Sequence, residues 1–67
     1  MKKHEYMVMA ITADRVLGQA VVTAIDEADA IRQVEDDDSV LVSLVDKHQG
    51  VLHARRLRYL DFRSNVL

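Results

Sequence analysis

Residues 25–38, IDEADAIRQVEDDD, constrain the fold more than any other stretch, because they read as one short helix between apolar, extended-looking runs. Asp26 stands where an N-cap belongs, its carboxylate placed to accept from the otherwise unpaired amides of the first turn. Asp29, three residues on, takes the position that Glu or Gln has in a capping box, on a shorter arm. Glu27 and Asp29 also bring negative charge to the positive end of the helix dipole. At about 100° per residue, Ala28, Ala30, Ile31 and Val34 form an apolar stripe, while Asp29, Arg32, Gln33 and Asp36 point the other way. A helix of about ten residues does not persist alone in water, so the stripe must dock on something.

The flanking runs supply the surface. Residues 6–12, YMVMAIT, are apolar at nearly every position and read as a strand, with faces Tyr6/Val8/Ala10 and Met7/Met9/Ile11. Asp14-Arg15 marks a turn. Residues 16–25 follow as a second strand rich in β-branched side chains, with Gly18 signalling a bulge or a late start. The short connection makes the pair an antiparallel hairpin. The helix is expected to end near Glu35 or Asp36, because the acids that follow oppose the negative end of its dipole, and Asp37-Asp38-Ser39 then reads as a turn. VLVSLV, residues 40–45, reads as a third strand, and 46–50 as a hairpin loop in which Gly50 takes a positive φ. Residues 51–55 form the fourth strand; alternation at 56–62 would continue it in extended form, whereas helical spacing there groups Leu57, Leu60 and Ser64. The expected fold is α+β: β-β-α-β-β, an antiparallel sheet of order 2-1-3-4 with one helix across one face. It forms a single domain ordered over about residues 4–62, with frayed termini.

Size makes such a domain marginal. A chain of 67 residues buries only ~60% of the surface that its unfolded form exposes. Without cysteine, disulfides and thiolate zinc sites drop out of the usual means of stabilising it. One helix covers one face of the sheet, so the apolar side chains on the other face point to a homodimer. No apolar run is long enough to span a membrane. Met1-Lys2-Lys3 opens like a signal peptide, but His4 and Glu5 interrupt the apolar stretch that would follow, so the cytoplasm is the expected location.

The net charge of −2 hides an asymmetry. Residues 26–38 hold seven acids and only Arg32 as a base, whereas residues 47–63 hold five bases and only Asp61 as an acid. Arg55, Arg56, Arg58 and Arg63 crowd the fourth strand and its tail, beside His53 and Tyr59. Guanidinium groups at this density suit gripping phosphates, with Tyr59 stacking on a base, or pairing with the acids of the helix end. The same charges also suit a solvated edge strand protected against pairing. Arg55, Arg56, Arg58 and Tyr59 are the expected contact residues. Glu35, Asp36, Asp37 and Asp38 are a second, acidic contact, but lack the alternating acids, glycine and distal glutamate of a calcium loop, so no metal site is expected. His4 lies at a terminus and His48 in the expected hairpin loop, and His53, inside a strand, has no carboxylate, serine or thiol placed locally to make a relay. No glycine-rich phosphate loop or nucleophile motif is present, and neither enzymatic activity nor a cofactor is expected.

In order and spacing, the chain resembles small phage-encoded inhibitors of bacterial defence, of the anti-CRISPR type. The features that carry the resemblance are YMVMAIT and GQAVVTA running into the acid-capped DEADAIRQV, then SVLVSLVDKHQGVLHARR with its glycine turn. It covers most of the chain without a signature motif, so it assigns no functional residue. It implies a non-enzymatic protein that binds a large nucleoprotein complex and blocks its access to DNA. The alternative is a small nucleic-acid-binding protein that uses the arginine strand.

Overall fold

A computed structural model describes residues 2–58. The elements are β1 (His4–Ile11), β2 (Val16–Ala24), α1 (Glu27–Asp37), α2 (Ser39–His48) and β3 (Val51–Arg56). The fold is α+β, and the first hairpin and first helix lie where the sequence puts them. Two expectations are corrected. Residues 40–45 belong to a second helix, not a strand. The antiparallel sheet therefore has three strands in the order β2-β1-β3, not four in the order 2-1-3-4. The strand expected fourth pairs directly with β1.

The hairpin shows why its residues form it. Thr12 N donates to Arg15 O (2.9 Å). The Thr12 hydroxyl donates to Asp14 Oδ1 (2.8 Å), and that bond holds the Asp14 carboxyl below the usual carboxylate range. The β1–β2 register runs from His4 opposite Ala24 to Ala10 opposite Gly18, then shifts so that Ile11 faces Val16. Leu17 is the extra residue, which makes the bulge that Gly18 signalled. Gly18 also gives α2 room, since a Cβ there would lie 2.9 Å from Leu41 Cδ2.

Asp26 caps α1 by accepting from Asp29 N (2.8 Å). Asp29 answers one residue further out, accepting from Ile25 N (3.2 Å), and also binds Arg32 and Gln33. The bond from Arg32, then that from Ile25, holds the Asp29 carboxyl below its ordinary range. Gln33 Nε2 reaches Thr23 O (2.9 Å), tethering α1 to β2. Of the predicted stripe, Ala30 and Val34 are buried, Ile31 is half-buried against them and Ala28 is exposed.

The joint between the helices is Asp38 alone. Its N–H donates to Val34 O (2.9 Å), closing α1, while its carboxylate accepts from Leu41 N (3.1 Å), opening α2. Its carbonyl accepts from Val42 N (3.2 Å). The acids at the negative end of α1 are thus also at the positive end of α2, whose dipole offsets the repulsion that the first helix alone would impose. At its other end α2 carries Lys47 and His48 in the last turn and closes on Gln49 in the left-handed conformation, φ 54°.

Gly50 has no positive φ; Gln49 carries it. The glycine is needed for space, because a Cβ there would lie 2.5 Å from the Ile11 carbonyl oxygen. Gly50→Ala is accordingly expected to destabilise the domain by about 1–3 kcal/mol through overpacking. Gln49→Gly, which relieves a left-handed non-glycine residue, should stabilise it by up to about 1 kcal/mol. Urea denaturation of both variants checks the pair, and equal midpoints would contradict this assignment.

Both helices pack on one face of the sheet. The core joins Tyr6, Val8, Ala10, Ala24 and Ala54 from the strands to Ala30, Val34 and Leu41 from the helices. Half of these are alanines, which lets helix and sheet approach closely but buries little area per residue. The Cα atoms span 34 × 31 × 16 Å, the short dimension being that of one sheet and one helical layer. The opposite face carries Met7, Met9 and Ile11 along β1, flanked by Val21 and Val51, which are 52% and 60% exposed. No described element covers it.

Candidate functional site

β3 is an edge strand, and its side chains alternate. Ala54 is buried among the core residues, while His53, Arg55 and Arg56 are exposed. Opposed to Met9 and Met7, His53 and Arg55 share the face turned away from the helices. Arg56, opposite Tyr6, lies on the helix side.

These residues from both faces line one cavity of about 520 Å³, with Arg58 and Glu27 completing its wall. Glu27 opens α1, so this end of β3 lies beside the start of the first helix. His4, half-buried on the neighbouring strand end, is held below the ordinary histidine range by desolvation, then by the positive charges of Arg56 and Lys2. Desolvation and these neighbouring charges favour its neutral form.

Of the residues expected to make contacts, Arg55, Arg56 and Arg58 share this cavity, and Tyr59 lies outside the described residues. His53 joins them, and Glu27 is a wall residue that its helix-capping role had concealed. The acidic run lies elsewhere. Glu35, Asp36 and Asp37 form the end of α1, and Asp38 is the interhelix joint. Glu35 lines a separate hollow of about 310 Å³ with Asp46, Val51 and Leu52, towards the other end of β3. The charge asymmetry of the sequence thus becomes a spatial one along β3, with arginines beside the N-terminus of α1 and acids beside its C-terminus.

Chemically, the cavity offers planar, multidentate donors around an exposed strand edge, an arrangement that recognises carboxylates or phosphates. Among the described residues, no group of three or more His, Asp or Glu is arranged to hold a metal ion, and no helix is long and apolar enough to cross a membrane. Compared with known proteins, the chain matches no family, and no curated protein or solved structure matches it significantly.

Proposed function

We propose that this chain is a non-enzymatic protein-binding module whose contact surface is the arginine-lined edge of β3. The observation that carries the reading is the cavity shared by His53, Arg55, Arg56 and Arg58 at an exposed strand edge. Arginine is enriched at binding hot spots because its planar group buries area while keeping its hydrogen bonds. Glu27 in the same wall favours a protein partner of mixed chemistry over a uniform line of phosphates. The resemblance to phage-encoded inhibitors of bacterial defence extends the reading: the module binds a large nucleoprotein complex and blocks it. The apolar sheet face serves a different contact, between two copies of the chain.

Binding of Arg56→Glu/Arg58→Glu to a captured partner is expected to fall at least about tenfold, the scale of one hot-spot contact. The circular dichroism spectrum should stay unchanged. Retained binding by the folded variant would move the contact surface elsewhere. Wild-type protein is also titrated with DNA and RNA at two salt concentrations. Tight binding that weakens steeply with salt would replace the protein-binding reading with the nucleic-acid one.

A further inference from the structure

The backbone of β3 has two sides, and the sheet uses one. Leu57 N donates to Glu5 O (2.9 Å), and the same register sets Arg55 opposite Met7 and His53 opposite Met9. Opposed residues of an antiparallel ladder alternate between exchanging hydrogen bonds and making none. His53 and Arg55 therefore turn N–H and C=O towards β1. Leu52, Ala54 and Arg56 turn theirs outward, where no described strand lies.

The cavity follows this outward side. His53 and Arg55 belong to one face of the sheet and Ala54 and Arg56 to the other, yet all four line it. A hollow reached from both faces of one strand runs along that strand's edge. Six residues of strand extend about 20 Å, enough to seat a segment of similar length.

Charge decides what fits. A second β3 would bring two more arginines to an edge that already carries Arg55 and Arg56, and like charges gathered along a pair of strands destabilise it. A segment with carboxylates at successive positions meets a cation on each face, and each guanidinium can take a carboxylate with two parallel bonds. We infer that the β3 edge receives an extended acidic segment of a partner protein as a fourth strand. The segment pairs with the backbones of Leu52, Ala54 and Arg56, and its carboxylates are held by Arg55 and Arg56. This deepens the protein-binding reading, on which it rests, by naming the chemistry of the partner.

The test titrates the full ¹⁵N-labelled chain with a blocked decapeptide in which Glu-Glu and Thr-Thr pairs alternate, and with the same peptide methylated at every backbone nitrogen. The plain peptide is expected to slow amide exchange at Leu52, Ala54 and Arg56 by about tenfold or more at saturation. The methylated peptide, equal in charge but unable to complete the ladder, should leave exchange unchanged. Equal protection by both would refute strand addition and leave the protein-binding reading standing. Absence of any shift at millimolar peptide would refute the acidic segment. An oligonucleotide of matched charge that outcompetes the peptide at these amides would overturn the inference and the reading together.

Discussion

Truncating Leu41 to alanine is expected to cost about 2–5 kcal/mol and to lower the melting temperature by at least about 10 °C. The side chain is 3% exposed, joins the core under the sheet and reaches over Gly18. A domain of this length has only about 3–10 kcal/mol in total, so the variant should be largely unfolded at temperatures where the parent is intact. Val40→Ala is the control. Val40 is 68% exposed, and its loss should change stability by no more than about 0.5 kcal/mol. Leu41 and Leu44 also separate helix from strand, because a strand would turn them to opposite faces, whereas both pack on the core. Equal melting temperatures for Leu41→Ala and the parent would contradict the docking of α2.

The second large effect concerns assembly. The wild-type chain is expected to be a homodimer at micromolar concentration, joined through the face that carries Met7, Met9 and Ile11. Three strands about 4.8 Å apart and some 25 Å long give roughly 400 Å² of projected face per copy. Two such faces total about 800 Å², which is the size class of weak, transient interfaces rather than the standard one. Two rows of that face, Met9 with Gln19 and His53 and Ile11 with Val16 and Val51, carry no acid, lysine or arginine, while the Met7 row ends on Arg55; the uncharged rows have the composition of an interface centre. Met9→Lys sets a charge in the middle of the face while leaving the helix side untouched. It should weaken association by at least about a hundredfold, read by sedimentation, with an unchanged circular dichroism spectrum. A wild-type chain that sediments only at 7.6 kDa at millimolar concentration, or a variant that still dimerises, would place the contact elsewhere.

What the sequence made legible follows from how local each signal is. The Asp26 cap, the acids of the first helical turn and the β-branched run after Asp14-Arg15 act within a few residues, and each yields the expected element. Residues 40–45 mislead because a short apolar run has no period of its own, and Val40, Val42 and Val45 favour a strand. The deciding marks flank the run: Asp38 as an N-cap, Lys47 and His48 at the negative end and Gln49-Gly50 after it. Leu41, Leu44, Val45 and His48 then repeat at helical spacing. Reading Asp38 as part of a turn hid its service to the helix that follows. The arginine cluster was legible from composition. Its shared cavity was not, because the cavity needs Glu27 of α1 beside that strand, and the strand pairs directly with β1 only once residues 40–45 are helical.

Asp38 has a further consequence. Since one residue closes α1 and opens α2, the connection has no slack with which to absorb an insertion or deletion. One added residue in the first turn of α2 would rotate Leu41 about 100° around its axis, taking it off the sheet while Val34 stayed in place. The length of the segment between those two side chains is therefore specified as tightly as their identity. Lengthening is better tolerated in the 12–15 turn, which hangs beyond the core and where the sheet itself already accommodates one extra residue.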